Sequence, residues 1–256
     1  MTRRRFYAPP ESFAPDRSRV TLAADEARHL RDVLRLRAGD EVYVFDGAGA
    51  EYLCEVAEAG RSATIDLAVR HAVEPARRES PLDFTLGVAL LKGEKFDLVV
   101  QKATELGVSR VVPLVTQRAD VRLREERGEA GAAKRAARFA RLALEAAKQS
   151  GRARLPTIDA PVDLASFLKD DQPAAEHLRV FFSERAGGSF PELSAAPRPS
   201  FVTAVVGPEG GWEDAEIEAA RSAGWQIVTL GGRILRAETA AIAVAALLQH
   251  RYGDFS

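Results

Sequence analysis

Short runs of mostly apolar residues bounded by turn residues recur in the first seventy positions. Residues 19–22, 41–45, 51–57 and 63–69 read as strands on that pattern. Between the first two runs, Ala27, Leu30, Val33 and Leu34 recur at helical spacing over 25–34. Asp46-Gly47 follows the second run and is a hairpin signal. Short strands joined by tight turns predict a small barrel. Residues 71–81 contain Pro75, Pro81 and the polar run Arg77-Arg78-Glu79-Ser80, and read as a linker.

Beyond the linker the period changes. Apolar runs at 82–91, 108–115, 178–182, 201–206 and 225–230 read as strands. Helical spacing over 95–106, 123–150, 162–168, 213–223 and 238–252 separates most of them. Gly107, Gly151 and Gly224 stand where helices end, as glycine does at a left-handed C′ position. Alternation of strand and helix predicts an α/β domain with a mainly parallel sheet. The last helix is apolar on every face from Ala240 to Leu248. Such a helix should be buried all round, either inside the domain or at a subunit interface.

Composition narrows the function. With 256 residues, 46% hydrophobic and 29% charged, the chain is globular, with length for one large domain or two smaller ones. No apolar run is long enough to span a bilayer, and the N-terminal arginines precede no apolar stretch, so the expected location is cytoplasmic. The lone Cys54 excludes an intramolecular disulfide or a cysteine-cluster zinc site. His29, His71, His177 and His250 lack ligand spacing, so no metal is expected. The net charge of −1 argues against a nucleic-acid partner only if charge is judged as a whole. Residues 1–37 carry +4 and residues 102–154 carry +7, balanced by −4 over 38–78 and −7 over 155–230. A polyanion responds to the local field, although a single arginine-rich segment is more often a solvated helix face.

Two glycine-bearing loops follow apolar strands of the second half: Gly207-Pro208-Glu209-Gly210-Gly211 and Leu230-Gly231-Gly232-Arg233. Ligands of parallel sheets sit at the carboxyl ends of strands, and glycine lets backbone approach a ligand closely. An isolated Gly-Pro turn would mean little, but two such loops on one sheet edge point to a site. The helix after the first loop opens with Glu213, Asp214 and Glu216, which occupy its positive end and disfavour a phosphate there. Dinucleotide, P-loop and Gly-x-Ser-x-Gly signatures are absent from the sequence. A neutral or zwitterionic cofactor fits better.

The motif Leu230-Gly231-Gly232-Arg233-Ile234-Leu235-Arg236-Ala237-Glu238-Thr239-Ala240, together with Gly207–Gly211, resembles the RsmE family of 16S ribosomal RNA uridine-N3 methyltransferases. Arg4-Arg5-Phe6-Tyr7, His29–Arg35 with Gly39-Asp40, Lys102–Val108 and Gln149–Arg152 match the same family in the same order. The resemblance implies an N-terminal PUA-like β-barrel, residues 1–73, for RNA binding. It also implies a C-terminal SPOUT α/β methyltransferase domain, residues 74–256, with a deep trefoil knot. A homodimer formed through the knotted domain and S-adenosyl-L-methionine (SAM) as cofactor follow from it too. Carried over residue by residue, the cofactor pocket comprises Ser183, Glu184, Gly207, Pro208, Glu209, Gly210, Gly211, Leu230, Gly231, Ile234, Leu235 and Arg236.

The reaction needs the N3 proton removed and the resulting anion stabilised. Arg236 is the candidate cation, with an ordinary ion pair to Glu238 or Glu209 as its alternative. Glu209 is the candidate base; orienting the loop or pairing with Arg236 is the stronger reading of it. The RNA surface is expected at Arg3, Arg4, Arg5, His29, Arg31, Arg35 and Arg37, extended by Arg118, Arg122, Arg124, Arg138, Arg141 and Arg152. Methylation of another RNA position, or of transfer RNA, is the nearest alternative. A non-catalytic assembly factor is the alternative from another class.

Overall fold

The computed structural model describes residues 3–57, 62–119, 129–169, 176–193 and 198–255. Contacts divide the chain into two compact units, residues 1–79 with 144–155, and residues 80–143 with 156–256.

The first unit holds a five-stranded sheet in the order β1-β3-β4-β5-β2. Its strands are β1 (Arg5–Tyr7), β2 (Arg19–Leu22), β3 (Glu41–Phe45), β4 (Glu51–Val56) and β5 (Ile65–Val73). β3 and β4 form the expected hairpin, with Val42 opposite Cys54 and Phe45 opposite Glu51. Asp46 fixes the turn: its Oδ1 accepts from the backbone N–H of Ala48 at 2.8 Å and of Ala50 at 3.0 Å. β1 lies parallel to β3, while the other pairs are antiparallel. Helix α1 (Ala24–Arg28) passes into one turn of π-helix over His29–Val33. Phe6, Leu22, Leu30, Val42, Val44, Cys54 and Leu67 form the core. β5 continues to Val73, so the start of the expected linker is strand.

Residues 144–155 join this unit through buried charge. The Arg5 guanidinium donates to the carbonyl oxygens of Ala147, Lys148 and Arg152, at 3.4, 3.3 and 2.9 Å. Two of these carbonyls lie in the last turn of helix α3 (Glu129–Ser150), where a cation is favoured. The fully buried Glu51 accepts from Arg5 at 3.2 Å.

The second unit is a parallel sheet in the order β11-β13-β10-β12-β6-β7-β8, with β9 also paired to β7. It is built from β6 (Asp83–Ala89), β7 (Arg110–Val115), β8 (Thr157–Ile158), β9 (Val162–Asp163), β10 (His177–Phe182), β11 (Gly188–Ser189), β12 (Phe201–Val206) and β13 (Gln226–Thr229). Helices cover both faces, as parallel strands require. Val180, Phe182, Val202, Ala204 and Val206 point to the side of α2 (Lys95–Glu105) and α6 (Ala237–Tyr252). Phe181 and Val205 point to the side of α4 (Leu164–Leu168) and α5 (Asp214–Ser222). That alternation is the period-two geometry of a strand buried on both faces.

Helix α6 is not buried all round within the single chain. Ala237, Ala241, Val244, Ala245 and Leu248 are buried, while Ile242, Ala243, Ala246 and Leu247 are only half-buried. Its apolar outer stripe is therefore left partly open in the single chain.

Candidate functional site

The carboxyl ends of β10, β12 and β13 open on a pocket of about 270 Å³. Ser183 and Glu184 come from the β10 end, Gly207 and Pro208 from the β12 end, and Leu230 to Leu235 from the β13 end. The first turn of α6 closes it with Ala237 and Ala240. Of the twelve expected cofactor residues, the structure brings eight into the wall. Glu209, Gly210, Gly211 and Arg236 belong to the same loops but do not line the pocket. Phe182, Val206, Trp212, Thr229, Gly232 and Arg233 line it without having been singled out from the sequence as cofactor residues. Periodicity marks Phe182 and Val206 only as core, because a strand-end residue can be core on one side and pocket wall on the other.

Trp212 anchors the first loop. Its indole is 1% exposed, packs tilted against Phe181 at 4.4 Å between centroids, and donates from Nε1 to the Phe182 carbonyl at 2.8 Å. Gly207 must be glycine because a Cβ there would lie 2.7 Å from the Trp212 ring. Two arginines then hold the loop from outside. Arg118 donates to Glu213 at 2.7 Å and to the Gly210 carbonyl at 2.8 Å. Arg185 pairs with Glu184 and donates to the Trp212 carbonyl and to Asp214, both at 2.7 Å. The Arg185 charge holds the Asp214 carboxyl below its ordinary range, chiefly through that hydrogen bond. Glu213 and Glu216 form a capping box at the start of α5, and Glu216 also accepts from the Gln117 N–H at 3.0 Å. The helix end is thus satisfied by its own carboxylates, leaving no cradle for a phosphate.

Neither expected ion pair of Arg236 forms among the described residues. Glu209 pairs with Lys95 instead. Arg236 is exposed at the N-cap of α6, between the pocket-lining Leu235 and Ala237. One Glu238 carboxylate oxygen is buried without a hydrogen bond, as is the Thr229 hydroxyl in the pocket wall.

The expected RNA residues divide sharply. Arg4, Arg35 and Arg37 are exposed. Arg31 is half-buried and donates to Asp32 and to the Ser62 carbonyl. His29 packs on Phe6, with ring centroids 5.8 Å apart. Arg3 leans on the Tyr43 ring and pairs with Glu51. The Arg5 and Arg152 side chains are buried, the latter against Glu79 at 2.8 Å, and both hold the fold together. Arg118 is committed to the glycine loop and Arg138 to Asp97. Arg122 and Arg124 lie outside the described residues. Among the described residues no histidine, cysteine and carboxylate cluster could hold a metal, and no helix is long and apolar enough to cross a membrane.

Residues 78–249 match the RNA methyltransferase domain family, and residues 22–66 match the RNA methyltransferase PUA domain family. Ribosomal RNA small subunit methyltransferase E of Synechocystis is 33% identical over 225 residues, covering 86% of this chain and 69% of that protein. The chain belongs to the ribosomal RNA small subunit methyltransferase E family. Its fold is accordingly a PUA-like N-terminal sheet followed by a parallel α/β SPOUT methyltransferase domain. A crystal structure of the family's Neisseria gonorrhoeae member, bound to S-adenosyl methionine, is 32% identical with a TM-score of 0.84, covering 100% of both chains. A Legionella pneumophila methyltransferase structure, in complex with the bound cofactor SAM, is 30% identical with a TM-score of 0.86, covering 99% of this chain and 100% of that one.

Proposed function

We propose that this protein methylates N3 of one uridine in the 16S RNA of the small ribosomal subunit, using SAM seated in the pocket at the carboxyl edge of the parallel sheet. The observation that carries the reading is the pocket itself. Both glycine loops of the family motif meet there, in a fold whose relatives are bound to SAM. The residues fit such a cofactor: the wall combines backbone and apolar side chains with the unpartnered Thr229 hydroxyl, ready for a polar group. Ser183, Glu184, Gly207, Pro208, Leu230, Gly231, Ile234 and Leu235 would hold it. Glu209, Gly210, Gly211 and Arg236 would shape the loops around it.

When bound, SAM supplies an electrophilic methyl group on a sulfonium. The protein must bring up the uracil edge, take its N3 proton and balance the charge left on the ring. Arg236, exposed and without an ion pair among the described residues, is the cation we assign to that charge. Glu209 is the loop carboxylate we assign to the proton, and its ion pair with Lys95 holds it in place. N3 is hidden in a normal base pair, so the target must be unpaired or flipped. Arg4, Arg35 and Arg37 of the PUA-like unit, residues 1–73, offer phosphate contacts.

The same reading includes a homodimer through the SPOUT domain, residues 74–256, and the trefoil knot of that domain. The half-open apolar stripe of α6 supports a second copy covering this face. A cytoplasmic location accompanies a ribosomal substrate. Calorimetry with SAM tests the reading: one site per chain with release of heat is expected, and absence of binding would favour a non-catalytic assembly factor.

A further inference from the structure

A second cleft, of about 550 Å³, lies on the same unit between the loop after β6, the start of α2 and the exposed turn of α3. Its floor is apolar: Leu91 and Phe96 are each 2% exposed, and Phe96 meets Phe139 at 5.1 Å between ring centroids. Its rim is cationic. Gly131, Lys134, Arg135, Arg138 and Phe139 recur at helical spacing and present one face of α3 to the cleft. Arg138 pairs with Asp97 of α2 and fastens the two walls together. Lys134 is exposed and has no ion pair among the described residues.

The Lys95–Glu209 ion pair links the segments that line the cleft and the cofactor pocket. Lys95 stands between Glu94 and Phe96, which line the cleft, and Glu209 follows Pro208, which lines the pocket. β6 and β12, whose carboxyl ends carry these loops, are neighbours in the sheet.

We propose that this cleft seats the substrate nucleotide, with the base over the apolar floor and a flanking phosphate at Lys134 and Arg135. An apolar bed with a cationic edge suits an extruded nucleotide, which offers a flat ring and an adjacent anion. Glu209, paired with Lys95 beside the cleft, then stands in the loop next to the substrate. The inference rests on the RNA methyltransferase reading and adds where the nucleotide enters.

Two variants test it, with small subunits from a strain lacking the gene as substrate. Lys134→Glu with Arg135→Glu should raise KM for subunits about tenfold and flatten the log–log salt dependence by roughly 0.7 per lost phosphate contact. Gly131→Phe should fill the cleft mouth and reduce methyl transfer about tenfold or more, since a misplaced nucleotide loses the orientation that the step needs. SAM affinity, read by calorimetry, should stay within about twofold in both, which also shows that the α/β unit is folded. Wild-type methylation rates and an unchanged salt slope in both variants would overturn the assignment and leave the activity standing. A wild-type protein that binds SAM yet methylates no subunit would overturn the underlying activity, and the cleft's role with it.

Discussion

Gly207→Ala tests whether the first glycine loop is held by close packing or merely turns there. The added Cβ would lie 2.7 Å from Trp212 Cε2 and 2.9 Å from its Nε1. That indole cannot yield as a flexible chain end would. It is buried on Phe181 and bonded to the Phe182 carbonyl. Overpacking of this kind costs about 1–3 kcal/mol, and loss of the indole hydrogen bond about 1 kcal/mol more if the ring swings away. A net cost of about 2 kcal/mol lowers Tm by roughly 4–8 °C at the 2–4 °C per kcal/mol expected for a domain of this size. The control is Gly232→Ala in the second loop. Gly232 also lines the pocket, but its Cβ would meet nothing within 4 Å and its φ is not left-handed. Its Tm should match the wild type within about 1 °C. Thermal unfolding by circular dichroism gives both shifts, and calorimetry gives SAM affinity. Gly207→Ala should also weaken SAM binding, because the displaced indole forms part of the wall. Equal melting temperatures for Gly207→Ala and the wild type would refute the packing argument.

Three further outcomes follow from the same geometry. Arg236→Ala should lower kcat for methyl transfer by about 10²–10³-fold, as loss of a charge that acts on the reacting anion does, with SAM affinity and Tm nearly unchanged; turnover like the wild type would remove Arg236 from the reaction. Charge reversal at Arg35 and Arg37, both exposed, should flatten the salt dependence of subunit binding by roughly 0.7 per contact, and an unchanged slope would reject this surface. Burial pushes the Cys54 thiol up to about 12, so a thiol reagent at pH 8 should react only when the protein unfolds, and rapid labelling of the native protein would show that the barrel core opens.

Local pattern carried much of this architecture. The strands over 41–45 and 201–206 begin and end where short apolar runs and the following glycine-bearing turns place them, because strand burial is written in adjacent residues. The two glycine loops could be placed on one sheet edge for the same reason: a strand followed by a helix has its loop at the carboxyl end. Long-range pairing was not legible. β1 is three residues long and exists through its parallel partner β3, and β8 and β11 have two residues each. The membership of residues 144–155 in the first unit depends on Arg5 reaching carbonyls more than 140 positions away. Charge alone also does not show which arginines are already paired. Arg5, Arg118 and Arg152 look free in sequence, yet each has a carboxylate partner that only the fold supplies. Likewise Glu209 found Lys95, 114 positions away, rather than Arg236 nearby in the motif.

The central claim is a position-specific methyl transfer, and mass spectrometry of the RNA tests it most directly. Small subunits from a strain lacking the gene are incubated with the protein and isotopically labelled SAM, and the 16S RNA is digested and mapped. One labelled methyl group on N3 of a single uridine is the expected result. Label on another base, on transfer RNA alone, or on no RNA at all would contradict the account.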